Sequence, residues 1–108
     1  MAYNLKLAER IRSELNGIPV VEKKMFGGVG FLLNGNLACG VNKDNLIVRV
    51  SPEKHDSLLK KAHTKPFDLT GRPMKGWLLV EQDGVKTDKQ LGTWVKEGVE
   101  FASTLPSK

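Results

Sequence analysis

The sequence predicts an α+β fold of two layers, an antiparallel sheet covered on one face by helices, in the order α-β-β-β-α-β(β)-α. Three observations carry that prediction. Apolar residues near both ends of the chain recur at three- and four-residue spacing, the period of an amphipathic helix. Between them the period falls to two on either side of Asn34-Gly35. Asn-Gly between apolar runs is the strongest short hairpin signal, because both turn residues tolerate positive φ. Finally, hairpin-linked strands with helices at intervals assemble as an antiparallel sheet with helices on one side. The 108 residues, 40% apolar and 27% charged, are expected to form one globular domain, 1–108, with a core of its own.

Leu5, Ala8, Ile11 and Leu15 make the apolar stripe of a first helix, with Glu9, Arg10 and Arg12 elsewhere on the wheel. Asn16-Gly17 supplies a left-handed ending and Pro19 prevents resumption. Residues 25–33 read as a strand that turns at Asn34-Gly35 into a partner over 36–41. A second turn at Lys43-Asp44-Asn45 leads to a third strand over 46–50. With a two-residue loop, Phe31 would face Ala38, Gly30 would face Cys39, Val29 would face Gly40, and Gly28 would face Val41. Each pair sets a larger residue over a smaller one, as neighbours about 4.5–5.5 Å apart require.

Ser51-Pro52-Glu53 opens the next helix with a capping serine, a proline at the first position and an acid in the first turn. Leu58 and Leu59 follow, and Lys60-Lys61 suits the negative end. The stretch from His63 to Lys75 is irregular, punctuated by Pro66, Gly71 and Pro73, with a short extra strand expected around 67–69. Residues 76–81 form a further strand closed by Asp83-Gly84. Thr87 and Gln90 make a capping box. The last helix then places Leu91, Trp94, Val95, Val99 and Ala102 on one side, ending near Leu105-Pro106.

No run is apolar enough for a signal peptide or a membrane span, and a single cysteine, Cys39, allows no internal disulfide. A cytoplasmic protein is expected. The net charge of +5 permits attraction to nucleic acid or acidic partners.

Gly27, Gly28 and Gly30 lie inside a strand pattern and not before a helix, so they do not form a phosphate loop. They suit packing, or the close approach of a helix or a second subunit. Cys39 alternates within an apolar strand and reads as a small buried hydrophobe. His55 and His63 read as surface residues, without metal-ligand spacing. Asp68, Glu81 and Asp83 supply carboxylates but no catalytic pair. No catalytic residue, metal or cofactor is therefore expected.

The basic stretch is the strongest candidate for contact with a partner. Lys60, Lys61, Lys65, Arg72 and Lys75 are opposed only by Asp68, with Phe67 and Trp77 nearby. Such a segment suits phosphates or an acidic partner. Arg49 shares a strand face with Ile47, opposite Leu46, Val48 and Val50, so that face is either solvated or brings the arginine to an acid, including one across an interface. The partner-binding candidates are Lys65, Arg72, Lys75, Trp77 and Arg49.

Met25-Phe26-Gly27-Gly28-Val29-Gly30-Phe31, then Leu46-Ile47-Val48-Arg49-Val50, then Pro66-Phe67-Asp68-Leu69-Thr70-Gly71-Arg72-Pro73-Met74-Lys75-Gly76-Trp77 closely resemble the TfoX (Sxy) N-terminal domain family. Trp94-Val95, Phe101-Ala102 and Leu105-Pro106 match the same pattern, so the resemblance runs from about Met25 to the end. It implies a two-layer domain with an antiparallel sheet. In the best-known members this domain is the N-terminal half of a regulator of natural competence that cooperates with the cyclic-AMP receptor protein. Those regulators carry a second, helical domain, and the present chain is expected to be a stand-alone member without it. The resemblance brings no catalytic residues. It implies a non-enzymatic regulatory or protein-interaction module, with a transcription regulator as one class of partner; the glycine-rich sheet adds a homodimer through the sheet as a further expectation, and the basic residues make direct nucleic-acid binding by the 60–75 region the alternative.

Overall fold

The structure, a computed structural model, describes residues 3–25, 27–67 and 75–106. A helix α1 (Leu5–Glu14) leads into four consecutive strands, β1 (Val20–Met25), β2 (Gly28–Leu33), β3 (Asn36–Asn42) and β4 (Asn45–Arg49). Helix α2 (Pro52–Leu59), strands β5 (Thr64–Pro66) and β6 (Trp77–Val80), and helix α3 (Asp88–Ser103) follow. All six strands join one antiparallel sheet in the order β1-β2-β3-β4-β6-β5. No helix among the described residues is long and apolar enough to cross a membrane.

Local chemistry sets the ends of these elements. The Leu7 N–H donates to Asn4 Oδ1 at 3.0 Å, capping α1. Ser51 caps α2, with Pro52 in its first turn. At α3 both halves of the capping box are present: the Gln90 N–H donates to Thr87 Oγ1 at 3.1 Å and the Thr87 N–H to Gln90 Oε1 at 3.0 Å. Asn34 and Gly35 both have positive φ, 54° and 83°, the conformation of a primed hairpin turn.

Alternate residues of the strands face the main core. Val29, Phe31, Cys39, Val41, Leu46, Val48, Leu78 and Val80 meet Ala8, Ile11, Leu91, Trp94 and Val95 from the helices, all buried. In α1 the residue that contributes is Leu7, while Leu5, expected in the stripe, is exposed.

Two expectations for the sheet are corrected. The strand read over residues 25–33 is a hairpin, with β1 occupying Val20–Met25 and β2 starting at Gly28. A short strand, β5, occupies Thr64–Pro66; of the expected 67–69, Asp68 and Leu69 lie outside the described residues. The β2–β3 register also changes along its length. Leu33 pairs with Asn36 and Leu32 with Leu37, as a two-residue loop requires, but Phe31 then pairs with Cys39. Ala38 is thus the extra residue of a β-bulge, and the pairs beyond it become Gly30 with Gly40 and Val29 with Val41. The expected large-over-small pairs do not form there. The space over Gly30 is filled by the Met25 side chain from β1 and by Leu37, whose Cδ1 would lie 2.9 Å from an added Cβ.

The bulge has a partner in α3. A Cβ on Gly98 would run into the Ala38 carbonyl oxygen and lie 2.9 Å from its carbon and 3.1 Å from Val48 Cγ2. The helix therefore rests on sheet backbone at this point, and only glycine leaves the room. Gly98→Ala is expected to cost about 1–3 kcal/mol in urea unfolding, the usual range for overpacking. Gly92→Ala, whose new methyl would meet the flexible Glu14 carboxylate with Oε1 at 2.8 Å, should be tolerated.

Candidate partner-binding surface

The pairing of β4 with β6 sets Arg49 beside Trp77 and Ile47 beside Leu79, on the sheet face opposite the main core. Ile47 and Phe67 are buried there, and Trp77 and Leu79 are half-buried. The Arg49 guanidinium carbon lies 5.4 Å from the Trp77 ring centroid and 5.5 Å from that of Phe101, within cation–π range. Phe67 adds a third ring, its centroid 6.2 Å from that of Trp77. Arg49 thus meets aromatic rings, where the sequence led to either solvent or an acid. No carboxylate among the described residues forms an ion pair with it.

Trp77 is held by the residue before it. Gly76 has φ +88°, and a Cβ there would lie 3.0 Å from the Val50 carbonyl oxygen. Its own carbonyl accepts from the Val50 N–H at 2.8 Å, and its N–H donates to His55 Nδ1 at 2.9 Å. His55 is buried on α2, which corrects its reading as a surface histidine. It lies three and four residues before Leu58 and Leu59 and so shares their inward face. His63 is exposed, as expected.

Among the described residues, Lys61 and Lys65 of the basic stretch lie on opposite faces of the sheet. Lys61 Nζ lies 4.7 Å from the ring centroid of Trp94, which belongs to the helix-side core. Lys65 pairs across the sheet with Leu79, on the opposite face, and its Nζ is 3.2 Å from Glu81 Oε2. Lys75 is exposed beside Gly76, and Arg72 lies outside the described residues. On the helix side of Phe101 the shallow pocket lined by Ser51, Lys54, Glu97, Glu100 and Thr104 carries two acids, with Lys54 Nζ 3.6 Å from Glu97 Oε2.

The family model for the TfoX N-terminal domain matches residues 15–102 of this chain. The chain belongs to the TfoX N-terminal domain family. No curated protein matches it. All six strands and both later helices except Ser103 fall in the TfoX span, as do Arg49, Trp77, His55 and Phe101. Helix α1 precedes it, although its Ala8 and Ile11 are fully enclosed by the core of the same TfoX domain.

Cys39 is wholly enclosed, and burial pushes its thiol up to about 12, so it stays protonated and a poor nucleophile at neutral pH. Among the described residues no group of three or more His, Cys, Asp or Glu is gathered for a metal ion. The buried thiol has a consequence for stability. An unfolded cysteine ionises near about 8.5, whereas the folded thiol keeps its proton to about 12. Between these values the unfolded state binds fewer protons, so stability falls as pH rises. Thermal melts at about pH 8 and pH 10.5 should therefore show a larger alkaline loss for the wild type than for Cys39→Ala; equal losses would mean that the thiol is not desolvated.

Proposed function

We propose that this TfoX N-terminal domain is a non-enzymatic regulatory module that grips an acidic segment of a protein partner at Arg49 and Trp77. One observation carries the reading: a half-buried guanidinium is held against two aromatic rings with no carboxylate of the described chain paired to it. Ring contacts occupy the faces of a guanidinium and leave its in-plane N–H fork available, and that fork matches a carboxylate bidentately. Because the rings already restrict the side chain, less freedom is lost when a ligand docks. Arginine and tryptophan are also the residue types that concentrate binding energy at interfaces. Lys75 flanks this station and Lys65 stands further along the same face. The class of partner is a cytoplasmic transcription regulator, by extension from the competence regulators of this family.

Direct nucleic-acid binding by the 60–75 region is the weaker reading, because among its described cations Lys61 and Lys65 lie on opposite faces and Lys65 is engaged by Glu81. The two readings separate in one set of measurements. Proteins captured on the immobilised wild-type domain from its own cell extract should be lost by about tenfold or more with Arg49→Ala, the scale of an interface hot spot. Arg49→Lys should not restore them, because lysine lacks the planar fork. Lys96→Ala on the far side of α3 should retain them. Unchanged capture by Arg49→Ala would overturn the proposal. Duplex DNA binding that falls steeply with salt and ignores Arg49 would favour the second reading.

A further inference from the structure

Among the described residues the sheet has two unpaired edges of very different character. β5 spans only Thr64–Pro66, and Pro66 has no N–H to donate. β1 spans six residues, Val20–Met25, and pairs with β2 on one side only. In an antiparallel pair alternate residues turn their N–H and C=O groups away from the partner strand, so β1 presents a row of donors and acceptors outward. Val21, the second residue of this edge, is the most exposed large apolar residue described, 68% accessible. We propose that the β1 edge pairs with the β1 edge of a second copy of this chain about a two-fold axis centred on Lys23. This surface is separate from the Arg49 station and does not depend on it.

The register follows from symmetry and charge. A two-fold axis normal to the sheet reverses the strand but keeps each face on its own side, so opposed residues must belong to the same face and the axis must pass beside a residue. Glu22 and Lys24 share the helix-side face with Phe31 and Val29, and Val21 and Met25 share the other with Leu32 and Gly28. An axis at Lys23 sets Glu22 opposite Lys24 of the partner subunit and, by symmetry, Lys24 opposite the partner's Glu22. On the other face Val21 takes the register position opposite the partner's Met25 twice. An axis at Glu22 would instead oppose Glu22 to itself and set Val21 and Val20 against lysines. The first register has two ion pairs and two apolar pairs against one lysine–lysine contact; the second has none of these gains.

Glu22 is prepared for this role. Arg12 donates from Nε to Glu22 Oε2 at 2.6 Å and from Nη2 to Oε1 at 2.8 Å, fixing the carboxylate on the face where the partner's Lys24 arrives. That hydrogen bonding holds the carboxyl below its ordinary range, so it is charged at neutral pH. Lysines on an edge normally repel stray strands. With Glu22 between the valines and the lysines, the same charges reject an arbitrary strand and accept this one reversed.

Light scattering on a size-exclusion column should show a monomer–dimer equilibrium that shifts with protein concentration. Lys24→Glu, an exposed change that leaves the fold intact by circular dichroism, should weaken the dimer by about threefold to tenfold, as two cross-strand pairs turn repulsive. The central lysine supplies the more specific measurement. In an equimolar mixture of wild type and Lys23→Glu, native mass spectrometry should find heterodimers well above half of all dimers, because the mixed pair replaces a like-charge contact with an opposite one. A monomer at every concentration up to about 1 mM, the affinity limit of a bare few kcal/mol, or a dimer with purely statistical mixing, would overturn the proposal.

Discussion

Where α3 crosses the sheet, the two layers touch backbone to backbone, and most of the geometry follows from that point. Gly98 sits over the Ala38 carbonyl, and Val48 closes the other side of the contact. Ala38 stands there because β3 carries one more residue than β2 between Leu37 and Cys39. A bulge bends and twists its strand, and here it also changes which residues face the helices. From it onward along the strand Cys39 and Val41 take the core positions opposite Phe31 and Val29. Toward the hairpin Ala38 joins Leu33 and Ala102 in a small second cluster. The distance and placement of α3 then bring Phe101 to the Arg49 end of β4.

The two faces of the sheet consequently do different work. One is closed by α1, α2 and α3 over an apolar core. The other gathers Phe67, Trp77, Leu79 and Ile47 around Arg49, a mixed aromatic and cationic surface that has the chemistry of an interface core more than that of a solvated sheet. The link between them is a relay of short local constraints. Ser51 caps α2, α2 turns His55 inward, His55 receives the Gly76 N–H, and Gly76 delivers Trp77 into β6 beside Arg49. A residue that looked like a surface histidine is thus a fixture of the surface it does not itself reach.

Much of this was legible in the chain because it is local. Asn34-Gly35, the Ser51-Pro52 start and the Thr87–Gln90 box each act within a few residues, and each forms as its chemistry requires. β1 was missed for an equally physical reason. Val20-Val21-Glu22-Lys23-Lys24 does not alternate, since an edge strand beyond the rim of the core needs no apolar face. The bulge is invisible because it answers to Gly98, sixty residues downstream. His55 could have been placed inward by its spacing to Leu58 and Leu59. Arg49 and Trp77 were named as candidates from the chain, but the second ring against Arg49, Phe101, belongs to the last helix, and no spacing rule joins a strand end to it. The division of Lys61 and Lys65 between two faces likewise depends on where α3 and β6 lie, which a linear count of charges does not contain.

The inequality of the two sheet edges also bounds how large any assembly of this domain can grow. Joining copies by strand addition needs a donor edge on one side and an acceptor edge on the other if the chain of copies is to continue. Among the described residues, Pro66 and the brevity of β5 remove one of the two, so a contact made through β1 would take up the longer of the two described edges. Such a contact closes on itself and cannot template a third copy. A dimer joined through β1 would by this means be disfavoured from growing into fibres, through the poverty of the described far edge.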